Sequence, residues 1–172
     1  MGPIELVFLV MIALFGIVGI VRGYARELGV TTMLLIGLWV LVFIDTELHI
    51  QFDRLLTMLV GDYTATQVTA KALIFCAFLT IIIFISYQGE TLSFPGKGTN
   101  YVFSLGAGLL NGYLYAGSLW YYLGNADWPF LDISKPYSQF YDLAWKVLPP
   151  NVLPWPYLIG LAAFMLIMRV LK

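Results

Sequence analysis

Five long apolar runs constrain the fold of this chain more than any other feature of its sequence. They extend from Ile4 to Val21, Leu28 to Ile44, Ala72 to Tyr87, Tyr101 to Leu123 and Leu153 to Leu171. Each approaches the length of about 20 apolar residues that an α-helix needs to cross the hydrocarbon core of a bilayer. We therefore predict an all-α membrane protein, a polytopic bundle of about five transmembrane helices.

The composition agrees with lipid as the main solvent of the chain. Of the 172 residues, 60% are hydrophobic and only 11% are charged, whereas soluble domains carry about 25% charged residues. The net charge of −1 comes without a basic patch or an RNA-binding signature, so no nucleic-acid partner is expected. The lipid bilayer is the first partner that the sequence predicts.

Basic residues suggest an orientation for the bundle. Arg22 and Arg26 follow the first apolar run instead of preceding it, which predicts a retained first helix and not a cleaved signal peptide. If the amino terminus lies outside, these two residues fall on the cytoplasmic side together with Lys97, Arg169 and Lys172. The connections on that side are short and dense in basic residues, as the positive-inside rule expects. The prediction is N-out and C-in.

Two segments between the runs have the pattern of amphipathic helices that lie in the membrane interface. From Pro136 to Leu148, one helical face carries the apolar side chains Tyr137, Phe140, Tyr141, Ala144 and Leu148. A second stripe consists of Leu48, Phe52, Leu55, Leu56 and Leu59. Each stripe fits either packing on the bundle's own surface or binding to a partner.

Small residues recur at spacings that let helices approach closely. They lie on one side of the first predicted helix and every four residues along the fourth: Gly16, Gly19 and Gly23, then Ser104, Gly108, Gly112 and Ala116. Helix association in lipid relies on close van der Waals contact, which small side chains permit. We predict that both helices pack tightly on neighbours, either within one chain or in a homodimer.

The segment from Gly19 to Glu27 reads Gly-Ile-Val-Arg-Gly-Tyr-Ala-Arg-Glu. It resembles the pattern that ends the first helix in the colicin V production protein (CvpA-like) family. Glu5 matches the acidic residue that precedes this helix in the family. A glycine ladder follows in the fourth helix, but Asn100, Tyr101 and Asn111 stand where the family has Asp, Arg and Arg.

The resemblance implies a CvpA-like membrane domain over residues 1–152, with four transmembrane helices and amphipathic segments, and an additional carboxy-terminal helix over residues 153–172. It also implies the bacterial cytoplasmic (inner) membrane and a non-enzymatic role in bacteriocin or toxin production or export and in envelope homeostasis. The extra helix and the aromatic outer segments keep open a second hypothesis, a structural accessory subunit of a respiratory or photosynthetic complex. Either role predicts a membrane-protein partner or a homo-oligomer.

The sequence contains no recognisable catalytic set, so no enzyme activity, cofactor or metal is predicted. The only histidine, His49, lies near Glu47 and Asp53 and is interpreted as a solvated surface residue, because a metal site needs several convergent ligands. Asn111 is predicted to make an interhelical hydrogen bond. Arg22 and Arg26 are predicted to set the topology and to contact lipid headgroups.

Overall fold

The computed structural model describes residues 3–61, 64–89, 92, 94, 100–131 and 138–171, and within them the regular structure is α-helical. The helices, in chain order, are α1 (Pro3–Arg22), α2 (Tyr24–Thr46), α3 (His49–Val60), α4 (Thr64–Gln88), α5 (Tyr101–Asn125), α6 (Gln139–Lys146), α7 (Pro149–Val152) and α8 (Trp155–Val170). The prediction of an all-α protein is confirmed.

Three of these helices, α1, α2 and α4, are long and apolar enough to cross a membrane. Helix α5 has 25 residues and so extends about 37 Å at 1.5 Å per residue, but its many polar side chains lower its hydropathy. Helix α8 is apolar and has 16 residues, which is short of the roughly 20 needed for a full span. The structure therefore shows an all-helical protein with three helices that could span a membrane, and the predicted number of five spans remains a prediction.

Helix α5 lies at the centre of the bundle. Helix α1 runs antiparallel to it, since Gly19 lies beside Gly108 near one end while Phe8 lies near Gly117 towards the other. Helix α2 packs against α4, α5 and α8, and α8 packs mainly against α2. The two ends of the bundle are called here the Arg22 end and the Trp120 end.

The connection between α1 and α2 is shorter than the interval between the first two apolar runs, residues 22–27. Only Gly23 leaves the helical conformation, and α2 begins at Tyr24, four residues before the apolar run at Leu28. Glu27 is thus part of the first turn of α2 and not of a connecting loop. The helix extends back over these polar residues because Glu27 finds its partners inside the bundle.

The two amphipathic segments form α3 and α6, at the Trp120 end. In α6, Tyr141 and Ala144 face inward together with Leu148 just beyond the helix. In α3 only Leu56 is fully buried, while Leu55 and Leu59 are exposed. Residues 136–137, at the start of the predicted Pro136–Leu148 segment, lie outside the described residues.

Candidate functional site

A charged pair links the two helices on either side of Gly23. Nη1 of Arg22 lies 3.2 Å from Oε1 of Glu27. Arg22 is in the last turn of α1 and Glu27 is in the first turn of α2. A cation at a helix carboxy terminus and an anion at an amino terminus both interact favourably with the helix dipole. Each charge is therefore stabilised by its own helix end as well as by its partner.

The Glu27 side chain has no exposed surface and is held by donors from three other helices. In addition to Arg22, its Oε2 accepts hydrogen bonds from the Tyr87 hydroxyl of α4 at 2.8 Å and from Nδ2 of Asn111 of α5 at 2.8 Å. Buried carboxylates are costly unless they are paired and hydrogen-bonded. Glu27 satisfies both conditions by connecting α1, α2, α4 and α5.

Asn111 is fully buried and uses both ends of its amide. Nδ2 also donates to the Glu27 backbone carbonyl at 3.0 Å, and Oδ1 accepts from the Thr31 hydroxyl at 2.7 Å. The sequence-based prediction for Asn111 was an interhelical hydrogen bond, and in the structure its amide bridges α5 to the first two turns of α2.

The arginine is held by more than its carboxylate partner. Its guanidinium carbon lies 4.3 Å from the centroid of the Tyr87 ring, a cation–π arrangement. Nη2 donates to the Ser86 carbonyl at 3.4 Å, near the end of α4, where carbonyls lack helical partners. Arg22 is thus turned towards Glu27 and Tyr87, and its predicted headgroup contact remains a prediction. Arg26 is partly buried, and its predicted headgroup contact remains a prediction.

We call the set of Arg22, Glu27, Thr31, Tyr87 and Asn111 the Glu27 network. Its two charges are of opposite sign, and both carboxylate oxygens of Glu27 and the amide oxygen of Asn111 each receive at least one hydrogen bond. Such a closed arrangement fixes the rotation and depth of each helix, because a shift of any one helix would leave a buried polar group unpaired.

The small residues of α1 and α5 meet each other in what we call the glycine seam, which consists of Gly16, Gly19, Ser104, Gly108 and Gly112. A Cβ built on Gly19 would lie 2.9 Å from the Gly108 Cα, and one on Gly112 would lie 2.8 Å from the Ile12 Cα. Backbone atoms of the two helices are therefore in direct contact. Helices at this distance exclude lipid and gain van der Waals contact along their length.

Two predicted seam positions have other roles in the structure. Gly23 lies outside the seam, because a Cβ there would meet nothing within 4 Å. Its φ of 87° and ψ of 150° belong to a region that only glycine adopts readily. Gly23 therefore allows the chain to leave the helical conformation between α1 and α2. Ala116 is buried beyond the seam, in the wall of a cavity between α1 and α5.

A second buried carboxylate, Glu5, lies at the Trp120 end, with 2% of its surface exposed. It accepts a hydrogen bond from the Ser138 hydroxyl, and this hydroxyl also caps α6 by accepting from the Tyr141 backbone N–H at 3.0 Å. The first turn of α1 is in this way tied to the start of α6. Nearby, the Trp128 indole donates to the Tyr141 hydroxyl at 3.2 Å.

His49 lies apart from both carboxylate sites, with Nδ1 3.0 Å from the Thr46 carbonyl. In the part of the chain that the structure describes, His, Cys, Asp and Glu form no group of three that could hold a metal ion. Cys76 is a free, partly buried thiol. The polar chemistry of the described bundle is therefore concentrated in helix-to-helix contacts.

Comparison of the chain with protein-family models, with curated proteins and with solved structures gave no match. The resemblance to CvpA-like proteins therefore rests on the residues quoted above.

Sequence reasoning missed the burial of Glu27 and the roles of Tyr87 and Gly29. A Cβ on Gly29 would collide with the Leu92 carbonyl, so Leu92 lies directly on α2. The Phe94 backbone N–H also donates to the Ala25 carbonyl at 3.1 Å. One sequence signal was present: a glutamate within a turn of a long apolar run has to be exposed at the membrane edge or paired.

Proposed function

We propose that this chain is a non-enzymatic integral membrane protein of the CvpA-like type, which acts in bacteriocin or toxin production or export and in envelope homeostasis. Helix packing and binding of a membrane-protein partner would be its means of action. The observation that supports this best is the Arg22–Glu27 pair. The two charges belong to the nine-residue pattern behind the CvpA-like resemblance, and they meet inside the bundle.

The Glu27 network supports a scaffolding role over chemistry. Its carboxylate is fully buried and accepts from donors on three other helices, so it is committed to holding them together. The network contains no histidine or cysteine, and its two hydroxyls, those of Thr31 and Tyr87, are engaged as hydrogen-bond donors. A protein whose buried polar groups serve packing is expected to act through its surfaces.

We also propose the bacterial cytoplasmic membrane, with the amino terminus outside and the carboxy terminus inside. The Trp155 indole donates to Glu47 at 3.0 Å, and its ring packs edge-on against Phe43, so α8 starts near the end of α2. Helix α8 then runs back towards the Arg22 end and carries Arg169 with it. Arg22, Arg26 and Arg169 thus lie towards one end of the bundle, which the positive-inside rule assigns to the cytoplasm.

Complementation tests the proposal. In a colicin V-producing strain that lacks its own CvpA-like protein, the wild-type chain is expected to restore toxin in the medium. Glu27→Ala is expected to fail, while Thr32→Val serves as the matched control, since Thr32 bonds only the Leu28 carbonyl of its own helix. Wild-type protein present in the membrane at normal level without restored toxin would count against the proposal.

The second candidate, a structural accessory subunit of a respiratory or photosynthetic complex, is favoured by the position of α8. This helix packs mainly on α2 at the side of the bundle. Its remaining surface exposes large apolar side chains such as Tyr157, Phe164 and Ile167. Purification in a gentle detergent followed by mass spectrometry distinguishes the candidates. Stoichiometric recovery of a pigment or redox complex would favour the subunit, and recovery of the chain only by itself would argue against it.

A further inference from the structure

A cavity of about 320 Å³ lies between α1 and α5 at the Trp120 end. At the Arg22 end the two helices touch through glycines, but at the Trp120 end Phe8 and Trp120 lie between them, with ring centroids 4.9 Å apart. These larger side chains hold the helices apart. The space between is lined by Val7, Phe8, Met11, Leu119 and Trp120, among other apolar side chains.

The cavity lies at the depth of a single leaflet. Its wall on α1 extends from Ile4 to Met11, which is about 10 Å at 1.5 Å per residue. This is roughly a third of the 30 Å hydrocarbon core, at the end where the candidate span α1 begins. The rim residues Val7 and Leu131 are 58% and 55% exposed. The cavity therefore opens sideways, towards the lipid around α1.

Trp128 lines the cavity and is fixed by a residue that does not line it, Tyr141 of α6. Its φ is 54°, which is rare for a bulky side chain, and the preceding Asp127 has the same value. The Trp128 indole N–H is bound to the Tyr141 hydroxyl, and the residue is 8% exposed. The hydrogen bond to Tyr141 thus holds the indole ring beside the cavity, on a backbone of unusual conformation.

The chemistry of the wall decides what can occupy the cavity. Apolar cavities of this kind stay dry, because a water molecule needs several polar partners. The volume is within the range of ligand-binding pockets. The opening faces the hydrocarbon of one leaflet. The apolar groups present at this depth are the acyl chains of phospholipids, which start near the headgroups.

We propose that the cavity binds one acyl chain of a phospholipid from the leaflet at the Trp120 end. The described residues that line the cavity carry no charge, so we expect binding to discriminate by chain and not by headgroup. The bound chain fills the space between α1 and α5 and completes their contact beyond the glycine seam.

The test compares two valine-to-tryptophan variants of α1 by native mass spectrometry in a mild detergent. Val7 lines the cavity, whereas Val10 is 49% exposed on the same helix and does not. After delipidation, phosphatidylcholines of defined chain length are added back. The wild type and Val10→Trp are expected to retain one phospholipid per chain, and Val7→Trp is expected to bind it at least tenfold more weakly.

Thermal melting provides a second measurement if Val7→Trp folds poorly. Added phospholipid should raise the Tm of the wild type and Val10→Trp but not that of Leu131→Trp, which changes the opposite rim. Phosphatidylglycerol of the same chains should act like phosphatidylcholine. The proposal is overturned by equal retention in Val7→Trp and Val10→Trp, by an isoprenoid as the sole retained lipid, or by a dimer that covers the cavity and binds no lipid.

Discussion

Arg22 and Glu27 face each other across Gly23, with Nη1 of the arginine 3.2 Å from Oε1 of a glutamate that has no exposed surface. The pair lies where α1 ends and α2 begins. The same carboxylate also accepts hydrogen bonds from Tyr87 of α4 and Asn111 of α5. Since the arginine side chain is 18% exposed, the pair extends from the bundle interior to its edge.

Replacement of Glu27 by alanine should strongly destabilise the bundle. The substitution leaves Tyr87 and Asn111 without their acceptor and Arg22 without its counter-ion, and breaking a buried pair costs about 3–5 kcal/mol. Unfolding by SDS in mixed micelles would measure the loss. Glu47→Ala is the matched control, because Glu47 is exposed just beyond the other end of α2, where it accepts a hydrogen bond from the Trp155 indole. Less than about 1 kcal/mol is expected there. Equal losses for the two variants would refute the assignment.

Thr31 and Thr32 allow the interhelical hydrogen bond to be isolated. Both are buried, and each hydroxyl lies within hydrogen-bond distance of the carbonyl four residues earlier in α2. Only the Thr31 hydroxyl also bonds Oδ1 of Asn111 in α5. Thr31→Val should cost about 0.6 kcal/mol and at most about 1.7 kcal/mol, the average and the maximum found for interhelical hydrogen bonds in membranes. Thr32→Val should cost less in the same unfolding assay. A larger loss for Thr32→Val would contradict the role given to Asn111.

Gly106 and Gly108 provide a control within one helix for the glycine seam. A Cβ on Gly108 would lie 3.0 Å from the Gly19 Cα, whereas one on Gly106 would meet nothing within 4 Å. Gly108→Ala should therefore separate the helices and cost about 1–3 kcal/mol. Gly106→Ala should be neutral or should stabilise α5 by up to about 1 kcal/mol, through helix propensity. Gly108→Leu and Gly112→Leu should lower the folded yield further, and a wild-type Tm for them would exclude the seam.

Gly23→Ala tests a backbone effect without a packing change. A methyl group there would contact nothing, but the residue has a φ of 87° and a ψ of 150°. Holding alanine in that region costs about 1–3 kcal/mol. We expect a lower Tm and a weaker Arg22–Glu27 pair. In that case Glu27→Ala should lower the unfolding free energy less in the Gly23→Ala background than in the wild type. If the effects of the two substitutions were fully additive, the conformation at Gly23 would have no influence on the Arg22–Glu27 pair.

Topology can be measured with a reporter fused after Lys172. If the carboxy terminus is cytoplasmic, a fusion to green fluorescent protein should fluoresce and a fusion to alkaline phosphatase should be inactive. The first reporter folds in the cytoplasm and the second only outside it. An active phosphatase would reverse the proposed orientation.

The helices themselves could be predicted from sequence, but their ends and partners could not. The first apolar run matches α1 closely, and Gly19 and Gly108 were recognised by their spacing. The start of α2 was placed at Leu28, four residues late, because Glu27 and Arg26 look like turn residues when their partners are unknown. Tyr87, 60 positions away from Glu27, is polar only at its hydroxyl and gave no signal at all.

The sequence by itself determined that this chain is helical and suited to lipid, because hydrogen bonding within a helix is local and apolar composition sets the solvent. It also determined which faces of α1 and α5 could approach closely. Only the tertiary structure decided that Glu27 is a buried centre shared by four helices and that a cavity opens beside Trp120. Both depend on how far each helix is rotated and tilted against its neighbours, and that is a property of all the contacts together.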